Sequence, residues 1–241
     1  MPGLDWLTAR PVAHRGLHDA QRGIVENTAS AFSAAIAGRY AIECDLQLAG
    51  DGEAMVFHDD TLDRLTQQQG AVATLTTEQL KAVGFKSTAD RMMTLDELCN
   101  LVAGHVPLII ELKSHFKSDT RLAARAVEVL QSYAGPVAVM SFDPAMVSAV
   151  GSTAPGLPRG LVAEKRFLQD EGVSTGSFLG GVLRAKPHFL AWSVRDLPAL
   201  FPLSVRYALG LPLLTWTVRT EADRVRAGRW ADQMIFEGFR P

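Results

Sequence analysis

Short unbroken apolar runs alternate along the chain with segments whose apolar residues recur every three or four positions. The runs fall at 11–14, 40–48, 107–113, 136–142, 159–163, 189–194, 212–218 and 233–236. Several, such as Leu108-Ile109-Ile110, are continuous Leu and β-branched stretches, the pattern of strands covered on both faces in a parallel sheet. Helical periodicity appears at 28–38, 94–103, 119–132, 144–150, 197–209 and 220–227. Asn27 and Asp119 stand where N-caps belong, and Gly38 stands where a helix would stop. Eight strands interleaved with helices predict an α/β fold, a (β/α)8 or TIM barrel, rather than an open sheet. No repeat, low-complexity tract or linker breaks the pattern, so residues 1–241 read as one domain.

One region departs from this rhythm. Residues 59–93 are polar and include Gln67-Gln68-Gln69-Gly70, and the next strand starts only at 107. A structureless loop of that length is uncommon unless it has a function. The expectation is a small insertion after the second strand, about 59–106, lying over the C-terminal mouth where barrels of this kind carry their chemistry.

Composition narrows the class further. A chain of 241 residues, 47% hydrophobic, buries roughly 70–75% of its unfolded surface and needs no disulfide staple. A net charge of -2 disfavours nucleic acid as the main ligand, since phosphate backbones select basic surfaces. Cys44 and Cys99 are too few for a disulfide framework and suit reduced thiols in a cytoplasmic protein. Asp5 interrupts the place where a signal peptide needs an apolar run, and no stretch reaches the length of a membrane span. The expectation is a cytoplasmic protein without stable membrane association.

Reactive side chains gather at predicted strand ends. The first strand ends in His14-Arg15-Gly16 and the second carries Glu43-Cys44-Asp45. The chain turns at Asp51-Gly52 and returns through Met55-Val56-Phe57 to His58-Asp59, and the third strand ends in Glu111-Leu112-Lys113. Strand side chains alternate, so Glu43 and Asp45 share one face, as do Glu111 and Lys113, while Cys44 and Leu112 face the helices. Taken singly, each has an ordinary reading: a structural histidine, a loop-edge carboxylate, a simple ion pair, a turn at Asp51-Gly52. Taken together they do not, because adjacent buried carboxylates repel unless a cation neutralises them. Three oxygen donors without soft ligands suit Mg²⁺ or Ca²⁺.

The ordered set His14-Arg15-Gly16, Glu26-Asn27-Thr28, Glu43-x-Asp45, Asp51-Gly52 and His58-Asp59 with Leu62, Arg64 and Thr66 resembles the signature of glycerophosphodiester phosphodiesterases. Glu111-x-Lys113, Ser141-Phe142 and Thr215-Trp216-Thr217-Val218 extend the resemblance from Ala13 to about Gly238. It implies a barrel hydrolase that uses one divalent cation to cleave small glycerophosphodiesters into glycerol 3-phosphate and an alcohol. By the same resemblance Glu43, Asp45 and Glu111 match the metal ligands, His14 the proton acceptor and His58 the proton donor. Arg15 and Lys113 match the cations facing phosphate, and Glu26, with Asn27 beside it, an outer partner that orients Arg15. Trp216 is a candidate for the substrate-lining wall. Trp192 reads as core, and His18, His105, His115 and His188, without motifs around them, as surface or structural.

Three positions depart from the family pattern: Val25 replaces the usual proline, Arg219 the usual asparagine, and the last strand closes with Glu237-Gly238 in place of Thr-Asp. Rival readings are a lysophospholipase D-like activity at the same site, a two-carboxylate glycosidase and a non-catalytic binding barrel. A glycosidase leaves the two histidines, Arg15 and Lys113 unexplained and needs no metal.

Overall fold

The computed structural model describes residues 3–168 and 175–241. Its strands are β1 (Val12–Ala13), β2 (Ala41–Leu48), β3 (Ala54–Val56), β4 (Leu108–Leu112), β5 (Val137–Ser141), β6 (Arg159–Ala163), β7 (Phe189–Ser193), β8 (Leu213–Val218) and β9 (Gln233–Phe236). All but β3 run parallel, in the order β1-β9-β8-β7-β6-β5-β4-β2, and β1 pairs with β2 to close the barrel. β3 folds back antiparallel on β2, Leu46 opposite Val56, through the turn at Asp51-Gly52, where Gly52 has a φ of 90°. The eight predicted barrel strands are all present, each within two residues of its expected ends.

Alternation along the strands produces two cores. Val12, Ala41, Ile109, Ala138, Met140, Val162, Phe189, Ala191, Leu214 and Ile235 fill the inside of the barrel. Gly160 makes room there for Phe189, whose ring would lie 2.3 Å from any Cβ at that position. Their neighbours one residue along, including Ile42, Cys44, Leu46, Ile110 and Leu112, face outward into the helical layer, as expected for Cys44 and Leu112. Trp192 is fully buried, again as expected.

The helices are α1 (Asp5–Thr8), α2 (Ala29–Ala37), α3 (Thr77–Ala82), α4 (Leu95–Val102), α5 (Arg121–Leu130), α6 (Pro144–Thr153), α7 (Thr175–Ala185), α8 (Leu200–Tyr207) and α9 (Glu221–Trp230). Three of them were not legible as periodic segments. α1 is a single turn whose Leu7 joins the inner core. α3 is short, and α7 contains three glycines, which lower helix propensity. Two cap expectations need correction. The residue at the cap of α2 is Thr28, because Asn27 lies in the left-handed region (φ 56°) and points its amide elsewhere. For α5 the cap residue is Thr120, although the Asp119 carboxylate still accepts the Arg121 N–H at 3.1 Å.

The polar stretch after β3 is a packed unit and not a structureless loop. Met55, Phe57, Leu62, Val72, Leu80, Val83, Phe85 and Met92 form their own apolar cluster. Thr61 bridges to Ala71 and Thr66 to Phe85. The carboxylate of Asp51 accepts from both the backbone and the hydroxyl of Thr77, which fastens α3 to the β2–β3 turn. Leu95, Leu98, Cys99 and Val102 of α4 pack instead into the barrel's helical layer, so the excursion ends near residue 93.

Candidate active site

Strand register decides which groups meet. Asp45 pairs with Glu111, Glu43 with Ile109, and Ala13 with both Ile42 and Phe236. His14, Glu43 and Glu237, each one residue beyond those pairings, therefore continue the same inward-facing rows. The apolar inner core gives way at the C-terminal rim to these charged groups.

Glu43, Asp45 and Glu111 are 1%, 1% and 7% exposed, and one oxygen from each lies within 4.8 Å of the others. Burial, then repulsion from Asp45 and Glu111, pushes the Glu43 carboxyl well above its ordinary range. Glu111 is raised by burial too, with Lys113 opposing. Asp45 goes the other way: burial alone would raise it, but Lys113 and Arg15 hold it well below the usual carboxylate range. Lys113 Nζ reaches Asp45 Oδ1 at 2.8 Å and Glu111 Oε1 at 2.6 Å. Oδ1 of Asp45 is thus a buried oxygen whose one close partner is the ammonium it shares with Glu111. An all-oxygen set that cannot ionise fully by itself, with one such oxygen, fits a hard divalent cation.

Two further residues brace the carboxylates. Asn27 donates its amide to Asp45 Oδ2 at 2.9 Å and accepts the Asp45 N–H at 3.3 Å. The Arg15 backbone N–H donates to Glu43 Oε2 at 2.9 Å. Arg15 and Asn27 both adopt positive φ (56°), a conformation unfavourable for side chains larger than glycine's and tolerated where tertiary contacts impose it. Gly16 follows with φ 79°, and a Cβ there would stand 2.9 Å from the backbone of Ala31. Glycine at this point lets the His14–Arg15 turn press against α2.

Each histidine meets a carboxylate. His14 Nδ1 lies 2.7 Å from Glu237 Oε2, and His58 Nδ1 lies 2.7 Å from Asp59 Oδ1. The hydrogen bond from His14 holds Glu237 at about 2, with Arg219 helping. Glu237 is therefore the acceptor and Nδ1–H the donor, which leaves Nε2 of a neutral His14 with its lone pair. Burial lowers the His14 pKa, and the Glu237 bond only partly opposes it.

A guanidinium chain ties the two sides of the mouth together. Arg15 donates to Glu26 Oε1 at 2.6 Å. Arg64 donates to both oxygens of Glu26 and, through Nε at 2.6 Å and Nη2 at 3.0 Å, to both oxygens of Asp59. Beside His58 the mouth opens into a cleft of about 400 Å³ whose wall includes Glu111, Lys113, Phe116 and Phe142. Trp216 is half-buried at the rim, edge-on to Phe142 at 5.4 Å.

The candidate site residues named from the sequence thus gather at this one rim, whereas Asp51 and Gly52 make the β2–β3 turn, where Asp51 holds Thr77. Sequence reasoning missed two. Glu237 was visible only as a departure from a pattern and Asp59 only as part of a motif. His18, read from the sequence as surface or structural, is half-buried beside His14 and Glu237. The other three unassigned histidines join neither cluster: His105 is exposed, His115 is 58% exposed with Nδ1 3.9 Å from Asp60, and His188 accepts an N–H from Arg159.

A parallel barrel with two histidine–carboxylate pairs, two cations and a carboxylate triad at its C-terminal rim can hold an anionic ester and move protons at it, and the relatives of this chain are phosphoric diester hydrolases. The sequence profile of the glycerophosphoryl diester phosphodiesterase family matches residues 14–239, and the chain belongs to that family. It is 32% identical over 161 residues to a glycerophosphodiester phosphodiesterase of Caldanaerobacter subterraneus, covering 63% of this chain and 65% of that one. It is 26% identical over 255 residues to a glycerophosphodiester phosphodiesterase of Bacillus subtilis, covering 95% and 83%. Among solved structures, an Oleispira antarctica phosphodiesterase in complex with sn-glycerol-3-phosphate superposes with a TM-score of 0.80 at 21% identity, covering 96% of this chain and 94% of that one. The glycosidase and binding-barrel readings are thereby set aside.

Proposed function

We propose that this chain hydrolyses glycerophosphodiesters to glycerol 3-phosphate and an alcohol. Glu43, Asp45 and Glu111 hold one divalent cation, Mg²⁺ or Ca²⁺, in this reading. The observation that carries it is the pairing of two histidine–carboxylate couples, each 2.7 Å long, with a buried three-carboxylate cluster at one rim. The names of the curated relatives supply the substrate class. A bound divalent cation supplies Lewis-acid charge at the phosphate oxygens. Arg15 and Lys113 add fixed positive charge facing the same oxygens, and Glu26 and Asn27 hold Arg15 and Asp45 in place. Trp216 and Phe142 form an apolar wall beside the scissile group.

His14 Nε2 accepts the proton of the glycerol 2-hydroxyl, and that oxygen attacks phosphorus. The bond to the departing alcohol breaks as His58 donates its proton to the alkoxide, leaving a cyclic 1,2-phosphate. In the second step His58 takes a proton from water, the water oxygen attacks phosphorus, and the bond from phosphorus to the 2-oxygen breaks as His14 returns its proton there, giving glycerol 3-phosphate. Effective molarities of about 10⁵–10⁸ M for well-placed groups favour the internal hydroxyl over water as first nucleophile. Residues 1–241 act here as one catalytic domain, with the packed segment after His58 walling the mouth. The same reading places the enzyme in the cytoplasm. Two free buried thiols support a reducing compartment, and among the described residues no helix is long and apolar enough to cross a membrane.

The test is a screen of glycerophosphocholine, glycerophosphoethanolamine, glycerophosphoglycerol and lysophospholipids, with and without Mg²⁺, Ca²⁺ and chelator. Chelator-sensitive release of glycerol 3-phosphate supports the proposal, and turnover of lysophospholipids alone would replace it with a lysophospholipase D-like reading. A 2-deoxy analogue should lose kcat by orders of magnitude at saturation. Comparable kcat would make water the direct nucleophile. Calorimetric cation titration of Glu43→Gln and Glu111→Gln checks the ligands: undiminished affinity in both removes the proposed site.

A further inference from the structure

His18 has no part in the reaction above, yet it sits where a spectator side chain would be costly. One nitrogen from each of His14 and His18 and one oxygen of Glu237 lie within 4.8 Å of one another. Nε2 of His18 is buried without a hydrogen-bond partner, a state that native structures rarely leave unfilled. A neutral imidazole at that place offers its lone pair to a cation. The charged groups facing it are Glu237 and Glu26, then Arg15 and Arg219. His18 and Glu237 also line a cavity of about 420 Å³ bounded by Asp19, Arg22 and Phe239. None of its lining residues belongs to the cleft beside His58, so two of the three donors, His18 and Glu237, face a space separate from that cleft.

The donor set differs in kind from the carboxylate cluster. Two imidazoles and one carboxylate select borderline transition cations such as Zn²⁺, whereas three carboxylates select hard ones. We propose that His14, His18 and Glu237 form a second cation site that takes Zn²⁺ and, when filled, switches the enzyme off.

The switch follows from the histidine tautomer and, unlike the binding, rests on the proton-acceptor role proposed above. His14 turns Nδ1 toward Glu237, 2.7 Å from Oε2. A metal bound at Nδ1 takes the lone pair there, so the single ring proton moves to Nε2. That is the nitrogen that has to accept the substrate proton, and the base is lost without any change of ring charge. Arg219, whose Nη2 is 3.0 Å from the same Glu237 oxygen, has to move aside. Its side chain is 48% exposed and is free to do so. Among the described residues no such cluster forms around His58, whose carboxylate partner is gripped by Arg64.

The test uses the full chain with saturating Mg²⁺ and Zn²⁺ as the probe. His18→Gln should keep kcat/KM in Mg²⁺ alone within about twofold of the parent, while Zn²⁺ inhibition weakens by more than the roughly tenfold that loss of even an outer metal partner causes. Binding is read separately by calorimetry on Glu43→Gln/Glu111→Gln, where the carboxylate site is disabled. That protein should still bind one Zn²⁺, and adding His18→Gln should weaken this binding more than tenfold as well. Circular dichroism of each variant reports folding. Should the double variant fail to fold, the same titration on the Mg²⁺-saturated parent and on His18→Gln gives the answer. Equal Zn²⁺ affinity with and without His18, or equal inhibition, overturns the site. The calorimetric arm needs no turnover, so an absence of glycerophosphodiester hydrolysis would strike the functional reading while leaving this one to stand or fall alone.

Discussion

His14 and His58 each meet a carboxylate through Nδ1 at 2.7 Å, but the partner of His58 is the next residue, whereas that of His14 is 223 residues away. The His14 pair exists only because β9 closes against β1. The His58 pair belongs to the chain leaving the β2–β3 hairpin and is clamped from outside by Arg64. Their surroundings differ too. The His14 side chain is 12% exposed and that of His58 31%, the latter beside an open cleft. A proton acceptor benefits from a fixed tautomer and desolvation; a donor to a departing alkoxide has to stand where the alcohol leaves. The asymmetry of the two pairs matches that division.

The sharpest way to break this comparison is to remove each ring. His14→Ala should lower kcat/KM by about 10²–10⁴-fold on every substrate. His58→Ala should do so on glycerophosphocholine but recover much of the loss on a p-nitrophenyl phosphodiester, whose leaving group needs little protonation. Steady-state rates on both substrates decide it, and equal losses would reverse or erase the assignment.

Removing the partner carboxylates sharpens it. Glu237→Gln should cost at least about tenfold in kcat, because the buried acceptor that selects the His14 tautomer is weakened. It should also move the acid limb of the pH profile. Burial already holds His14 below the ordinary histidine value of 6.5, and the bond to Glu237 works against that lowering. Its loss therefore shifts the limb to still lower pH, while Asp59→Asn leaves that limb in place. A limb that rises in Glu237→Gln would contradict the proposed hydrogen bond.

Outer cations should matter less. Arg64 binds Glu26 and Asp59 together, whereas Arg219 adds a single bond to Glu237. Half-exposed pairs are worth up to about 1 kcal/mol, so Arg219→Ala should cost no more than roughly fivefold in kcat/KM, and Arg64→Ala more. Arg219→Lys should restore most of the activity. The smallest effect has the opposite sign. Glu43→Gln removes one of three crowded carboxylates and should raise the cation-free Tm by a few degrees, at about 2–4 °C per kcal/mol for this size. A lowered Tm would mean that the cluster is not under repulsion.

Much of this was legible in the chain, because alternation is a local property. The parity of Glu43 and Asp45 against Cys44, and of Glu111 against Leu112, follows from a two-residue repeat, and the structure sorts them into mouth and helical layer as that repeat requires. Continuous apolar strands likewise announced a buried parallel sheet. The 59–93 stretch read as a loop because its apolar residues are spaced irregularly; Leu62, Val72, Leu80 and Phe85 meet only after the chain turns several times.

Residues remote in sequence were beyond reach for the same physical reason. Nothing near Glu237 marks it as the partner of His14, and nothing near Arg219 marks it as the partner of Glu237; both stood out only as mismatches to a pattern. Local periodicity and residue chemistry determined the strands, the inward carboxylates and the class of reaction they suit. Barrel closure decided which carboxylate holds which histidine and left His18 beside His14 with a buried nitrogen unpaired. A hydrogen bond spanning 223 residues depends on register summed around the whole barrel, and no local segment of chain contains that sum.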